Sequence, residues 1–487
     1  MRPTLWTFAV LLVASRARAQ TPTKDEVDWK VMPPPGPERP FQPPRATRLA
    51  LEGGGVLLVV PNTALPLATV LFAMPGAGST SDPADRAGLA AFTADLLDEG
   101  AGGLQARELA ERVEALGSEL ATWAEEDAAF VRIASLTRNL PASLELVGKV
   151  LTAPAFEDDD GKRIHEDQTA SVRLRRDRPG AVAQVVFEAG IYGAAAPYGH
   201  PAFGYLSDLG RFGVADARTF YQKQFARERL LVVVAGDVTP DTAKQQIEAA
   251  LAGWKAAGEP VAAPASVEKI ASKSRLLIID RPGAEQANVV IGTLGMTRVD
   301  DRSYALDVLT NVLGGTFTSR LNNRLREQLG YTYGATAYPT FHRQTGAVVI
   351  STALSTPKTA LGMKEILTIV ADIAKAPLSA TELAAAQQNL IRSLPDYFRT
   401  NDDIADAFAG TALIGLPEDW FQGYADRVRG VTAAQVSAVA GSLLEPKRLI
   451  AVVVGPLDQI ERDVSKVGFG KPTRFDPDGA PQAGRRK

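Results

Sequence analysis

The 487-residue sequence contains no cysteine and only three histidines, His165, His200 and His342. The first absence excludes disulfides and thiolate chemistry, so stability has to come from ordinary hydrophobic cores. The histidines are not spaced as a pair, the arrangement from which a metal site is most readily built. Charge of one sign is scarce as well: 53 Lys and Arg stand against 56 Asp and Glu, for a net charge of −3. That balance argues against a nucleic-acid partner or an anionic membrane surface. No apolar run is long enough to span a bilayer. No G-x-S-x-G, Walker or dinucleotide fingerprint occurs in a suitable context.

What is present begins with an export signal. Arg2 supplies positive charge, Leu5 to Ala14 form a short apolar run, and Ala17-Arg18-Ala19 gives the small-x-small pattern of a cleavage site. A retained signal anchor is the alternative, and with no Cys after the run a lipoprotein anchor is not expected. Residues 1–19 are therefore read as a signal peptide, with the mature chain periplasmic or secreted. Their removal takes away three arginines (Arg2, Arg16, Arg18), moving the net charge from −3 to −6. With 45% apolar residues, the length suggests two to four domains.

Residues 20–44 form a proline-rich leader, and a breaker-rich linker at 257–268 separates two halves, 45–256 and 269–468. The Pro-, Gly- and Arg-rich segment 469–487 reads as a disordered tail. The halves carry a faint repeat. Arg229 to Asp237 and Arg448 to Pro456 are apolar runs that reach a Gly, and each follows an amphipathic segment opened by Gly-Val, at Gly213-Val214 and Gly430-Val431. A repeat of this size implies duplicated domains. Strands are expected at Val56 to Val60, Pro66 to Met74, Arg275 to Asp280 and Asn288 to Gly292. Helices are expected at Gly88 to Leu97, Ala106 to Leu120 and Leu140 to Leu151, and on the face marked by Ala305, Val308, Leu309 and Val312. Ser379-x-x-Glu382 is a capping box. Strand pairs precede helical runs in both halves, which favours an α+β class over a doubly wound parallel sheet. The acidic run Glu157 to Asp160 lacks the ligand spacing of a calcium loop and reads as a solvated helix entry.

Four stretches resemble the pitrilysin/insulinase family of metallopeptidases, in the branch similar to mitochondrial processing peptidase: Arg281-Pro-Gly-Ala-Glu-Gln286, Gly314 to Gly334, Tyr198-Gly-His-Pro201 with Gly204, and the strand end at Gly236-Asp237. The second is the specific one, with Gly-Gly, Ser-Arg-Leu, Leu-Arg-Glu, Gly and Tyr landmarks in order. The resemblance implies two homologous α+β domains, each an antiparallel-rich sheet backed by helices, in subunits that pair around a substrate chamber. It also implies an inverted zinc motif, H-x-x-E-H, with a downstream Glu. This sequence departs from that motif at every position. Gly88-Leu89-Ala90 and Gly100 flank the slots, but the slots hold Ala91, Ala94 and Asp95. The downstream slot, placed from Asp177-Arg178-Pro179, holds Ser171.

The resemblance also implies that the C-terminal half contributes an Arg and a Tyr, seven residues apart, to the scissile carbonyl. Arg326 and Tyr333 match, with Gly330 between them, and Arg324 and Tyr331 offer the same spacing two residues earlier. Gly330 is expected to end the helix, leaving the Arg on a helix and the Tyr at the start of the next strand. Gly314 and Gly315 either end the preceding helix or touch substrate, and His200 sits in a loop that the family uses structurally. The implied function is a non-zinc subunit of a heterodimeric periplasmic zinc peptidase acting on unfolded peptides, inactive alone. Zinc is expected in a homologous partner and no cofactor in this chain. The rival is a catalytically inactive scaffold or peptide-binding protein of the same fold.

Overall fold

The computed structural model describes residues 40–194, 196–254, 275–477 and 479. The signal peptide, residues 20–39 of the proline-rich leader, the linker at 257–268 and residues 478 and 480–487 of the tail lie outside these residues. Among the described residues fourteen strands form, numbered in chain order. The first half holds β1 (Thr47–Ala50), β2 (Val56–Pro61), β3 (Leu67–Pro75), the short pair β4 (Gly100–Ala101) and β5 (Leu104–Gln105), β6 (Glu119–Ala124), β7 (Ala128–Leu136) and β8 (Leu231–Gly236). The second holds β9 (Arg275–Asp280), β10 (Gln286–Leu294), β11 (Thr332–Phe341), β12 (Gly346–Ser355), β13 (Ile450–Gly455) and β14 (Pro472–Arg474).

Two six-stranded sheets result, ordered β1-β2-β8-β3-β7-β6 and β11-β12-β10-β13-β9-β14. Read from its β14 end, the second runs β9-β13-β10-β12-β11, which repeats β2-β8-β3-β7-β6 strand for strand. The faint sequence repeat is thus a duplicated topology. The sheets are mixed: β2–β8, β9–β13 and β9–β14 are parallel and the other pairs antiparallel. In each half the last long strand returns after a helical crossover and inserts between two earlier ones, β8 between β2 and β3 and β13 between β9 and β10, parallel to β2 and β9 respectively. Those inserted strands, β8 and β13, are buried along their whole length. Leu231, Val233 and Ala235 feed one core cluster, while Val232 and Val234 feed another. Burial on both faces explains why these strands read as continuous β-branched runs.

Local signals mostly hold. The capping box forms, with the Glu382 N–H donating to Ser379 Oγ at 3.2 Å and the Ser379 N–H to Glu382 Oε2 at 3.1 Å. The acidic run opens the helix Asp158–Arg176, whose last turn carries Arg173, Arg175 and Arg176, so both ends suit the helix dipole. The helix expected over 106–120 stops at Ala115, because Gly117 takes a left-handed conformation (φ +60°) and β6 begins at Glu119. The tail is ordered further than its composition suggests: β14 pairs with β9, and Phe475 is buried.

Packing does not follow the division into halves. The helix Pro179–Glu188, from the first half, lays Val182, Ala183, Val186 and Phe187 on Leu277, Val290 and Val452 of the second sheet. The helix Asn401–Leu413, from the second half, places Ile404, Ala405 and Phe408 in the cluster that holds Leu71, Ala73 and Val233 of the first. Asn62 Nδ2 donates to Asn401 Oδ1 at 2.8 Å and Thr69 Oγ1 to Asp402 Oδ1 at 2.6 Å, fixing that second helix in place.

Candidate functional site

The helix Leu89–Asp95 carries the positions where the resemblance implies metal ligands. Asp82 fixes its start, accepting the Gly88 and Ala90 N–H groups at 2.7 Å each. Gln168 Nε2 donates to Gly88 O at 2.9 Å. Gly204 stands where a Cβ would lie 2.0 Å from Ala87 O, so the loop after His200 packs tightly on this corner. The frame is intact, yet its donors do not fit zinc. Ala91 and Ala94 are buried methyl groups, Ser171 offers an exposed hydroxyl, and only Asp95 presents a carboxylate. Among the described residues no group of three or more His, Asp or Glu is arranged to hold a metal ion. Burial, reinforced by Asp98, Glu99 and Asp167, pushes the Asp95 carboxyl up to about 7. Desolvation and the neighbouring Glu99 push the half-buried Asp98 carboxyl up to about 6, although Thr122 Oγ1 donates to it at 3.1 Å.

The histidines serve packing. His165 meets Phe92 and Phe212 edge-on at 5.8 and 5.7 Å, and burial lowers its pKa. His200 is buried, and the His342 ring lies tilted against that of Tyr198 with centroids 4.8 Å apart. Tyr198 in turn donates to Asp127 Oδ1 at 2.6 Å, which ties its loop to the β6–β7 turn.

The segment Gly314 to Gly334 builds a different kind of site. A widened, π-type helical turn spans Asn322–Gln328, and Gly330 (φ +62°) ends it, its N–H donating to Arg326 O at 3.1 Å. Arg326 therefore lies on the helix and Tyr333 in the first residues of β11. Arg324 is engaged: its Nε and Nη2 donate to the Glu365 carboxylate at 2.8 and 3.2 Å, and Nη1 to Gln328 at 3.0 Å. Tyr331 is half-buried against the core, with Lys358 Nζ 5.6 Å from its ring. Tyr333, by contrast, is 86% exposed. The Arg326 guanidinium lies 3.9 Å from the ring of the exposed Phe317, and its Nε is 3.5 Å from Glu327. Neither Nη atom of Arg326 is hydrogen-bonded within the described residues. Side-chain packing thus separates two Arg/Tyr pairs that spacing left equivalent.

Gly314 is buried under β11, where a Cβ would sit 2.3 Å from Ala337 N, so close backbone approach demands glycine there. It offers no face to a ligand. Gly315 is exposed and lines a cavity of about 780 Å³ between the β6–β7 turn and the helices of the second half. Phe130, Tyr338, Trp420 and Phe421 give the cavity apolar walls, and Glu125, Glu126 and Asp396 add carboxylates.

Comparison with known proteins agrees with this architecture. Residues 72–184 match the family model "Insulinase (Peptidase family M16)", and residues 211–390 match "Peptidase M16 inactive domain". The chain belongs to the insulinase-type M16 peptidase family. An uncharacterised zinc protease of Streptomyces coelicolor is 26% identical over 296 residues, spanning 60% of this chain and 64% of that protein, so the chain matches less than two thirds of that relative. An uncharacterised zinc protease of Mycobacterium leprae is 24% identical over 381 residues, covering 78% and 85%. The crystal structure of a peptidase M16 inactive domain from Pseudomonas fluorescens superposes with a TM-score of 0.77 at 24% identity, covering 84% of this chain and 98% of that one. Within the M16 frame this chain is a peptidase-like protein without the zinc motif. The insulinase match contains the helix Leu89–Asp95, and the inactive-domain match contains the whole Arg326/Tyr333 segment.

Residues outside the sequence reading complete the site. Phe317 covers one face of Arg326, and Asn322, Thr332 of β11 and Thr352 of β12 are buried around the start of β11. The one available signal was Gly334 inside a strand pattern, which marks a bulge.

Proposed function

We propose that this chain is the non-zinc subunit of a heterodimeric, periplasmic M16 zinc peptidase that degrades or processes unfolded peptides. A homologous partner supplies H-x-x-E-H and its zinc, and this chain supplies Arg326, Tyr333 and part of the chamber wall. The observation that carries the reading is the free Arg326/Tyr333 pair: a guanidinium with uncommitted Nη donors and a phenol directed to solvent. Both can donate to negative charge developing on a scissile carbonyl oxygen, and one such donor contributes about 3 kcal/mol to transition-state stabilisation. An extended peptide fits a sheet edge, where main-chain hydrogen bonds give affinity with little sequence preference.

The test is reconstitution with a homologous partner that retains H-x-x-E-H. Alone, the chain should hold well under one zinc and hydrolyse no peptide; with the partner, activity should appear. In the pair, Arg326→Ala or Tyr333→Phe should lower kcat by roughly 10²- to 10³-fold with little change in KM, because the charge exists only in the transition state. Arg324→Ala and Tyr331→Phe should leave kcat within about threefold. Chelator-sensitive turnover by the chain alone would sink the division of labour.

The cavity of about 780 Å³ favours a second reading, a catalytically inactive peptide-binding protein, since its aromatic walls and carboxylates belong to this chain alone. Unchanged partner activity in all four variants, with labelled peptide bound by the isolated chain, would select it.

A further inference from the structure

Beneath the exposed Tyr333, β11 departs from regular pairing. Thr332 faces Leu354 and Ala335 faces Thr352 on β12, so Tyr333 and Gly334 together oppose the single residue Ala353. This is a β-bulge, a device that re-aims a side chain at the expense of ladder hydrogen bonds. Here side chains replace the missing bonds. Thr332 Oγ1 accepts the Gly334 N–H at 3.0 Å and lies 2.8 Å from Gly334 O, while Thr352 Oγ1 lies 3.0 Å from Thr332 Oγ1 and 2.9 Å from Gly334 O. On the other side, the Asn322 carboxamide treats Ala335 as a strand neighbour would. Its Oδ1 accepts the Ala335 N–H at 2.8 Å and its Nδ2 donates to Ala335 O at 2.9 Å.

The same Nδ2 also donates to Thr316 O at 3.0 Å, pinning the loop that carries Phe317. Asn322 is four residues before Arg326, one turn away on the same helical face. A single amide therefore joins the strand bearing Tyr333, the loop whose Phe317 covers Arg326, and the helix bearing Arg326. Asn322, Thr332 and Thr352 are 7%, 8% and 6% exposed, whereas Tyr333 and Phe317 are 86% and 61% exposed. A buried polar network demands full satisfaction and would be replaced at no loss by apolar packing if only stability were required. Its position under the exposed Tyr333 and Phe317 and the half-buried Arg326 gives it a different use.

We propose that Asn322, supported by Thr352, is a positioning residue that holds Tyr333, Phe317 and Arg326 in one fixed arrangement through the β11 bulge. The proposal deepens the Arg326/Tyr333 reading and rests on it for its catalytic consequence.

Asn322→Asp is the sharp variant: it keeps the acceptor for the Ala335 N–H but sets an oxygen against Ala335 O and Thr316 O. Thr352→Val is a milder, nearly isosteric second variant. In the full-length chain without a partner, 3-fluorotyrosine placed at position 333, and separately at position 338 on the same strand, is followed by ¹⁹F NMR. The expected result is a narrow line at 333 that broadens or splits in both variants while the line at 338 stays as it was. An unchanged line at 333 overturns the proposal, and so do equal changes at both positions, which would mean general loss of strand order. In the reconstituted peptidase, Asn322→Asp should lower kcat about tenfold with KM unchanged, and have no further effect in an Arg326→Ala/Tyr333→Phe background. A full-sized loss in that background also overturns it. If Arg326→Ala and Tyr333→Phe themselves leave kcat unaltered, the oxyanion reading fails, and the ¹⁹F result still decides whether Asn322 fixes the arrangement.

Discussion

Asp95 shows how a residue can keep a family's place while losing its chemistry. It stands on the helix Leu89–Asp95 with Asp98, Glu99 and Asp167 near it, and Arg163 pairs with Glu99. A carboxyl held at about 7 keeps its proton in the folded chain where the unfolded chain has released it. The native state therefore binds more protons between the ordinary carboxylate range and pH 7. Stability is fully present below that window and falls as pH rises through it. Asp95→Asn, which cannot ionise, should stabilise the chain by about 2 kcal/mol at pH 8 and by far less at pH 5. Thermal melts at the two pH values check this, and equal shifts at both would show that Asp95 is not the group responsible. The alternative Arg/Tyr pair makes the complementary point. Arg324 satisfies Glu365 on an exposed surface, so Arg324→Ala should leave the denaturant midpoint nearly unchanged.

At the scale of elements, close approach and edge cover decide what each segment tolerates. Gly314 sits where the end of one helical segment touches the backbone of β11, 2.3 Å from an ideal Cβ to Ala337 N. Gly314→Ala must push β11 away or distort the helix end, and should destabilise by about 2–4 kcal/mol in urea unfolding. At the exposed Gly315 the atoms nearest to an added Cβ belong to the Asn311 side chain rather than to backbone, and Ala should be better tolerated. β14 does for the second sheet what its composition gave no reason to expect. It covers the outer side of β9, and the Phe475 N–H donates to Ile278 O at 2.9 Å. Phe475 joins the cluster of Val182, Phe187 and Ile279, so Phe475→Ala should cost about 3 kcal/mol. An unchanged melting temperature would mean that the segment after Gly470 adds nothing to the fold.

For the whole molecule, the exchange of helices matters more than the duplication. Each sheet is closed by a helix from the other half, so neither half can bury its own sheet face alone. Residues 40–254 expressed by themselves would expose the face that the helix Asn401–Leu413 covers, and residues 275–477 would lack the helix Pro179–Glu188. Each fragment is expected to be aggregated or molten, and the two co-expressed should assemble into a native-like pair. The intact chain should unfold in one cooperative transition despite its two sheets. Two separate calorimetric transitions, each assigned to one half, would contradict the exchange.

What the sequence determined by itself was whatever depends on near neighbours. The strands Val56–Pro61 and Arg275–Asp280, the capping box at Ser379, the helix end at Gly330 and the placement of Arg326 on a helix and Tyr333 on a strand all follow from periodicity and caps within a few residues. The Gly-to-Gly segment 314–334 pointed to the family, and the substitutions at Ala91, Ala94, Asp95 and Ser171 to the lost zinc motif. Only the tertiary structure decided how β8 and β13 insert between earlier strands, which helix closes which sheet, and that β14 exists. It also showed how Arg326 differs from Arg324: Glu365, forty-one residues from Arg324, takes up that guanidinium, whereas Arg326 meets Phe317 and Glu327 and keeps its Nη atoms without a hydrogen-bond partner among the described residues. Side chains such as Asn62 and Asn401 meet across 339 residues. Burial at that range is created by the packing itself, so no local pattern encodes it.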